Sequence, residues 1–241
     1  MVFADIHSHS LCGVDDGAKR EEDMIAMVES AYADGTRYLL LTPHCHPGYF
    51  GENWQKIQQS YELLQKIASK RFPGLHLALG NELRYQHGCE EWLRSGICRT
   101  LNNSRYVLVD FVADEDANFI VEALESLLNS GHVPILAHVE RYRHLSKHLK
   151  TVRNLRQKGV QFQMDARAPL GGYGLRARLR SMALLREGLV DFVGSDAHNC
   201  KSDPPNISEC YAYIKKRWGS SYADYLCLNH AKRIFFTDQK L

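Results

Sequence analysis

The sequence predicts an α/β fold of repeated strand–helix units, forming a complete or distorted (β/α) barrel rather than an open sheet. Short apolar, β-rich runs alternate with amphipathic, helix-like stretches along the chain. Several of those stretches end on glycine, the usual signal at the C-terminal end of a helix. The length, 241 residues, suits one barrel domain. We therefore expect a single domain spanning residues 1–241, although the pattern alone does not establish that the barrel closes.

The individual elements follow in order along the chain. Seven runs predict strands, at residues 2–9, 38–46, 75–83, 106–112, 133–140, 160–166 and 191–199. The clearest helix-like stretches between them are residues 19–35, 53–71, 116–131 and 176–188. Residues 225–241 predict a final helix and a short end. No linker or repeat divides the chain, which agrees with one domain.

Composition excludes several classes of protein. The formal net charge is only +2, so no strong field favours nucleic acid or an anionic membrane as a partner. No run approaches 18 apolar residues, and the N-terminus lacks the basic and apolar regions of a signal peptide. The seven cysteines are odd in number and form no C-x-x-C pair, which is typical of reduced thiols. We predict a cytoplasmic protein that does not insert into a membrane.

Polar residues are concentrated at one end of the predicted strands. They are His7, His9, His44, His46, Glu82, Asp110, His138, Glu140, Asp165, Asp196 and His198. In a parallel barrel the C-terminal ends of the strands form one rim, and active sites are built there. This convergence predicts an active site at that rim.

Two histidine-containing pairs, one near each end of the chain, indicate a metal site. His7 and His9 are two residues apart, so on a strand both imidazoles face the same side. Asp196 and His198 repeat that spacing at the last predicted strand. In a closed barrel the first and last strands are neighbours, so the two pairs would meet. One such pair alone is a weak signal and more often belongs to a polar loop.

Further ligand candidates lie between these pairs. Glu82 and Asp110 follow apolar runs, where burying a carboxylate is costly unless it is paired or bound to a cation. His138 likewise lies at the end of a predicted strand. Histidine and carboxylate ligands without a cysteine motif suit a catalytic Mn²⁺, Fe or Zn²⁺ centre. Arg141 could clamp a phosphate or a carboxylate beside the cations, or could form a surface salt bridge.

A site with several metal ions and a nearby arginine favours hydrolysis of a phosphate ester, because the cations activate water and neutralise developing charge. The sequence contains no phosphate-binding G-x-x-x-x-G-K-[ST] and no G-x-S-x-G, and its C-x5-R match, from Cys227 to Arg233, falls in the predicted final helix rather than in a loop. Nucleotide-motor, serine-hydrolase and cysteine-phosphatase functions therefore lack support.

Six motifs resemble those of the PHP (polymerase and histidinol phosphatase) domain proteins. They are DIHSH, VDDGAK, TPHCH, GNEL, AHVERY and GSDAHN, in that order between Asp5 and about Pro205. The DDGAK, TPH and H-x-E-R-Y segments are similar, more narrowly, to the manganese-dependent protein tyrosine phosphatases encoded with bacterial capsule and exopolysaccharide genes.

The resemblance implies a distorted seven-stranded, TIM-barrel-like fold that holds three divalent metal ions, with Mn²⁺ as the first choice. It implies one ion on His7, His9, Glu82 and Asp196, a second on Glu82, Asp110 and His138, and a third on Asp16, His44 and His198. It also implies that Arg141 grips the phosphate, that Asp5 orients an imidazole, and that His46 is a proton donor or substrate contact.

The family substrate implied is the phosphotyrosine cluster of a cognate tyrosine autokinase. Two positions depart from the family pattern. Asp110 stands where a glutamate is usual, and Asp203 stands where an arginine commonly grips phosphate. The negative charge of Asp203 would oppose an anionic substrate unless Lys201 compensates for it. Two alternatives therefore stay open: a PHP hydrolase of a small phosphoester such as histidinol phosphate, and a catalytically weak module that binds metal or a kinase. The sequence does not give the oligomeric state.

Overall fold

A computed structural model describes residues 1–49 and 54–236. Within these residues, nine short strands alternate with ten α-helices. The strands are β1 (Phe3–Asp5), β2 (Thr36–Leu41), β3 (His44–Cys45), β4 (His76–Leu79), β5 (Glu82–Arg84), β6 (Tyr106–Asp110), β7 (Val133–Leu136), β8 (Gln161–Asp165) and β9 (Phe192–Gly194). The helices are α1 (Glu21–Asp34), α2 (Trp54–Arg71), α3 (Cys89–Ser95), α4 (Ala117–Asn129), α5 (Arg143–Ser146), α6 (Leu149–Lys158), α7 (Gly174–Arg186), α8 (Ser208–Trp218), α9 (Ser220–Asp224) and α10 (Lys232–Phe235).

The strands form a curled, parallel half-barrel. Their order is β1-β2-β4 in one sheet and β3-β5-β6-β7-β8-β9 in the other, and every pairing is parallel. The segments that follow β1 and β9 also meet, because Ser8 and Ala197 form a parallel bridge and the Asp196 amide donates to the His7 carbonyl at 2.9 Å. The predicted α/β class is confirmed.

Two of the predicted strands are each broken into two. Run 38–46 becomes β2 and β3, separated by Thr42 and Pro43, and proline has no N–H to donate to a ladder. Run 75–83 breaks at Gly80, where a Cβ would lie 2.8 Å from Leu101 Cδ2. The backbone passes Leu101 too closely for any larger residue at that position.

The four clearest predicted helices are present as α1, α2, α4 and α7. Helix α1 ends at Gly35, whose φ of 112° is readily adopted only by glycine. The predicted final helix is present only as a π-helical turn, Tyr225–Asn229, followed by α10, and residues 237–241 lie outside the described residues. In the described part of the chain, no helix is both long enough and apolar enough to cross a membrane.

Apolar side chains are buried on both faces of the sheet. In β6, Leu108 packs in a cluster shared by strands β1, β2, β4, β7 and β9, whereas its neighbours Val107 and Val109 pack with α4. Such alternation is expected because successive side chains on a strand point to opposite faces. The strand bodies are thus filled with apolar side chains, which leaves the C-terminal strand ends for polar chemistry.

Candidate metal centre

The strand ends place most of the predicted site residues in one cleft of about 400 Å³. Its lining includes Asp16, His44, Glu82, Asp110, His138, Arg141, Asp196 and His198. His7 and His9 are buried beside it, in contact with Glu82 and Asp196. The structure therefore brings together residues from both ends of the chain, as the paired motifs predict.

Three overlapping groups of side chains could each hold a metal ion. Within each group the possible ligand atoms lie within 4.8 Å of one another. The groups are His7, His9, Glu82 and Asp196; Glu82, Asp110 and His138; and His9, Asp16, His44 and His198. They differ from the predicted ligand sets only by adding His9 to the third. The ligand role of each residue stays a prediction.

The first group is the most buried. His7 Nε2 lies 3.1 Å from Asp196 Oδ1, 3.3 Å from Glu82 Oε1 and 3.1 Å from His9 Nε2. The i, i+2 spacing of the two histidines directs both rings toward these carboxylates. Two nitrogens and two carboxylates thus converge on one point.

The carboxylates make this centre attractive to positive charge. Burial disfavours charged imidazole at His7, but the charges of Glu82 and Asp196 outweigh it and raise its pKa to about 10. At His44 burial is likewise outweighed, chiefly by Glu82, and the pKa rises to about 9. The pKa of Glu82 falls well below its usual range because His7 and His44 outweigh the effect of burial. Metal ions would compete with protons for the same ligands.

The second group fits a cation closely. Asp110 Oδ2 forms an ion pair with Arg84 Nη2 at 2.9 Å, but its buried Oδ1 has no hydrogen-bond partner among the described residues. Leaving a buried carboxylate oxygen unpaired is costly, and a bound cation removes that cost. Burial and the neighbouring Arg141 lower the pKa of His138 to about 4, which keeps the imidazole in its neutral, metal-binding form. The nitrogen and oxygen donors suit Mn²⁺, Fe or Zn²⁺.

Two supporting residues were missed by sequence reasoning. Asp15 Oδ2 lies 2.8 Å from His9 Nδ1, and Gln163 Oε1 lies 3.2 Å from His7 Nδ1. Contacts of this kind fix the orientation of a ligating imidazole. Gln163 could have been recognised from the sequence, because it is a polar residue flanked by apolar residues inside a predicted strand. Nothing in the spacing distinguishes Asp15 from Asp16.

Asp5 has a different role from the one predicted. Its Oδ1 accepts from the backbone amides of His7 at 3.1 Å and Ser195 at 3.0 Å. It therefore joins the backbones that follow β1 and β9, whereas Gln163 contacts the His7 ring. The prediction that Asp5 orients an imidazole is wrong.

Arg141 lies at the edge of the cleft and does not form a surface salt bridge. Its Nη2 donates to Asp196 Oδ2 at 2.6 Å, Asp165 Oδ2 at 2.9 Å and the Tyr173 hydroxyl at 2.7 Å. Both carboxylates are buried, which holds the guanidinium in one orientation.

His46 lies apart from the three groups of possible ligands. Among the described residues its ring stacks on Tyr49, with the ring centroids 4.5 Å apart, and it does not line the cleft. Burial, with the positive charges of Arg84 and His44, lowers its pKa. Its part in proton donation or substrate contact stays a prediction.

The charge of Asp203 is offset by Arg167 rather than by Lys201. Arg167 Nη2 donates to Asp203 Oδ1, and it also donates to the Tyr173 hydroxyl. Lys201 is exposed, and in the described part of the chain its side chain forms no ion pair with Asp203. Asp203 does not line the cleft.

The chain matches, over residues 3–236, the family described as Capsular polysaccharide synthesis, CpsB/CapC. The chain belongs to this family. It is 32% identical to the tyrosine-protein phosphatase CpsB of Streptococcus agalactiae, over 95% of this chain and 97% of that protein. It is 30% identical to the tyrosine-protein phosphatase YwqE of Bacillus subtilis, over 90% of this chain and 85% of that protein. The family predicted from the motifs is confirmed.

Solved structures agree with this family. The chain superposes with a TM-score of 0.86 on a solved structure from a study of YwqE of B. subtilis and CpsB of Streptococcus pneumoniae, which are described as metal-dependent tyrosine phosphatases. The two chains are 29% identical, and the match covers 96% of this chain and 93% of that chain. A histidinol phosphate phosphatase from Lactococcus lactis superposes with a TM-score of 0.59 at 14% identity, covering 95% and 97%, and shows a shared fold alone.

Proposed function

We propose that this chain is a metal-dependent protein-tyrosine phosphatase whose substrate is a phosphotyrosine protein, a tyrosine autokinase of capsule or exopolysaccharide synthesis. The observation that carries the proposal is the convergence of three metal-binding groups and Arg141 in one cleft. The near full-length similarity to tyrosine-protein phosphatases supports the choice of substrate.

The proposed centre holds three divalent ions, with Mn²⁺ as the first choice and Fe or Zn²⁺ as alternatives. The proposed ligands are His7, His9, Asp16, His44, Glu82, Asp110, His138, Asp196 and His198. Glu82 belongs to two of the groups, which suits a bridging carboxylate. The unpaired Oδ1 of Asp110 supports a cation in the second group.

Bound cations would supply positive charge beside the phosphoryl group and lower the pKa of a water molecule. Arg141 is proposed to grip the phosphate, because its guanidinium is held at the edge of the cleft and its Nε has no hydrogen-bond partner among the described residues. His46 is proposed as the proton donor or a substrate contact because it follows the cleft residue His44 by two positions.

The test combines metal analysis with turnover of three substrates. Purified protein supplied with Mn²⁺ is expected to cleave a phosphotyrosine peptide faster than a phosphoserine peptide or histidinol phosphate. Preference for histidinol phosphate would favour the small-phosphoester alternative. Bound metal with no ester cleaved would favour the catalytically weak module and contradict the proposal.

His138→Ala is expected to lower kcat for the phosphotyrosine peptide by about a thousandfold or more, because an essential ligand is lost. The matched control is His144→Ala, since His144 is exposed and outside the cleft, and it should retain activity. Metal content measured on both variants tests the cause. Turnover that survives in His138→Ala would show that the second metal group is wrongly assigned.

We also propose that the single domain, residues 1–241, is a distorted seven-stranded barrel. Counting β2 with β3, and β4 with β5, as two bent strands leaves seven, and the Ser8–Ala197 bridge lies between the first and the last. A cytoplasmic location is proposed as well, and the seven cysteines, all free, support it.

A further inference from the structure

A second cavity, of about 430 Å³, lies next to the cleft of the metal centre. Asp16 and His198 line both spaces, so the two cavities adjoin. The rest of the second cavity comes from residues 17–19, from one side of α1 and from residues 199–201. No residue of this cavity other than Asp16 and His198 belongs to a metal-binding group found among the described residues.

The cavity combines apolar and basic side chains. Ala18 and Met27 are buried in its wall, and Ala26 is exposed in it. Lys19 and Lys201 also line it, and both are exposed. A side chain with an aliphatic stem and a charged end would match this surface.

Neither of the two lysines is paired directly with a carboxylate of the described residues. Lys19 Nζ donates to the backbone carbonyl of Asp15 at 3.1 Å, and neither lysine forms an ion pair within residues 1–49 and 54–236. Asp23, an acidic residue of this cavity, is 3.3 Å from Arg20 and so has its own partner. Asp16 faces His44 and His198. The charged side chains of this cavity that have no ion-pair partner among the described residues are therefore the two lysines, which carry positive charge.

The shared lining of the two cavities suits a peptide that extends from the cleft. Ligand pockets commonly span about 300–1,000 Å³, so each cavity can hold a side chain. An extended peptide advances about 3.3–3.6 Å per residue, so a cavity that shares two lining residues with the cleft would meet positions close to the phosphotyrosine.

We propose that the second cavity is a substrate subsite for a glutamate or aspartate one or two positions from the phosphotyrosine. Lys19 and Lys201 would pair with the carboxylate, and Ala26 and Met27 would pack against its aliphatic stem. This inference rests on the proposed phosphatase function and adds selectivity for the sequence around the phosphotyrosine.

The test measures kcat/KM for phosphotyrosine peptides that carry glutamate, alanine or lysine at the flanking positions on either side. At low salt the unmodified protein should prefer the glutamate peptide over the lysine peptide by about tenfold, as expected for a few exposed charge pairs. Lys201→Glu should reduce this ratio to about one or invert it, and Lys201→Gln should give a change of intermediate size. The preference should weaken as salt rises, because exposed charges are screened.

Lys216→Glu is the matched control. Lys216 is an exposed residue of α8 outside both cavities, and its reversal changes the net charge by the same amount. For Lys216→Glu, the ratio of kcat/KM for the glutamate peptide to kcat/KM for the lysine peptide should equal that of the unmodified protein. The subsite would be overturned if Lys201→Glu had the same glutamate-to-lysine ratio of kcat/KM as Lys216→Glu. It would also be overturned if Lys201→Glu lost kcat/KM equally for every peptide.

Failure of the proposed function is distinguishable from failure of the subsite. If the unmodified protein cleaves none of the phosphotyrosine peptides, the phosphatase function is contradicted and the subsite with it. If it cleaves all of them at equal rates, the function stands and the subsite is overturned.

Discussion

The backbone at two residues of the cleft, His138 and Asp196, is left-handed, with φ angles of 34° and 51°. Residues other than glycine hold such angles at a cost of about 1–3 kcal/mol. Glycine would remove the cost but also the imidazole or the carboxylate. The surrounding contacts enforce the conformation, since the His138 amide donates to Gln163 Oε1 at 2.8 Å and the Asp196 amide donates to His7 O at 2.9 Å. The strain lies where the proposed chemistry needs those side chains.

Tyr173 lies between Arg141 and Arg167. Its hydroxyl accepts from both guanidiniums and donates to Asp165 Oδ2. Both guanidiniums also lie over its ring, 4.5 and 4.7 Å from the centroid. We infer that Tyr173 is a positioning residue for Arg141.

Tyr173→Phe is expected to raise KM for a phosphotyrosine peptide about fivefold, because the hydroxyl that orients Arg141 is lost. kcat should change less than KM, and the melting temperature should stay within a few degrees. Tyr222→Phe removes a hydroxyl that donates to Leu185 O, outside the cleft, and should leave KM unchanged. A fall in kcat with unchanged KM would contradict the positioning role.

Gly17 lies against His9 so closely that no side chain fits. A Cβ there would lie 1.9 Å from His9 O and 2.5 Å from His9 Cβ. Gly17→Ala should therefore displace His9, destabilise the fold by about 1–3 kcal/mol and weaken Mn²⁺ binding at least tenfold. Denaturant unfolding and metal titration measure the two effects.

The matched control for Gly17→Ala is Gly74→Ala. Gly74 has a φ of 76°, but a Cβ added there would meet no atom within 4 Å, so alanine is strained at this position without touching the metal centre. Gly74→Ala should lose about 1 kcal/mol of stability and keep its Mn²⁺ affinity. Equal Mn²⁺ affinity in both variants would show that the contact with His9 does not matter for the metal.

At the scale of the elements, the broken strands determine where ligands lie. The break after β2 allows the Thr42 amide to donate to Ser8 O at 2.9 Å, and β3 then places His44 opposite Glu82 of β5. His44 Nδ1 lies 2.8 Å from Glu82 Oε2 as a result. The run at 38–46 predicts a strand and contains the Pro43 that interrupts it, but the contact that Thr42 makes at the break is with Ser8, which belongs to another part of the chain.

Helix α4 has a side-chain cap that can be tested alone. The Asp116 carboxylate accepts from the amides of Asn118 at 2.8 Å and Phe119 at 3.3 Å. Asp116→Ala is expected to lower the free energy of unfolding by about 1 kcal/mol, because two amides of the first turn lose their acceptor. Asp116→Asn, which keeps an acceptor, should cost only a few tenths. Equal losses in the two variants, measured by denaturant unfolding, would argue against capping.

The helices illustrate what local sequence determines. Apolar periodicity and the following glycine predict α1 over 19–35, and the helix is observed at Glu21–Asp34. The C-terminal stretch has no comparable signal. It forms a π-helical turn, Tyr225–Asn229, and the short helix α10, and His230 between them packs against Phe192. Where tertiary contacts decide the backbone, periodicity is a poor guide.

At the scale of the whole molecule, metal binding and folding should be linked. Glu82, Asp110 and Asp196 come from distant segments, and their buried carboxylates lie in overlapping groups. Ligand that binds only the folded state stabilises it, by about 2.7 kcal/mol at a hundredfold excess over Kd.

Chelation of divalent cations should therefore lower the melting temperature by about 5–10 °C for a chain of this size, and added Mn²⁺ should restore it. Scanning calorimetry with and without chelator measures the shift. The shift should be smaller in His138→Ala, which lacks one proposed ligand. No shift in the unmodified protein would contradict a bound metal in the folded state.

The sequence by itself determined the fold class and named candidate site residues, most of which the structure places in one cleft. Side chains alternate along a strand, which directs His7 and His9 to one side, and parallel strands place their C-terminal ends at one edge of the sheet. Both rules can be applied to the sequence without knowing how particular side chains pack. The choice of nitrogen and oxygen donors follows from residue type alone.

Only the tertiary structure decided which partners support those residues. Asp15 against His9, Gln163 against His7, and Arg167 against Asp203 are contacts of particular side chains after the strands have packed. Two of these three pairs join residues more than 30 positions apart. Periodicity describes one segment at a time, whereas such contacts depend on the packing of separate segments.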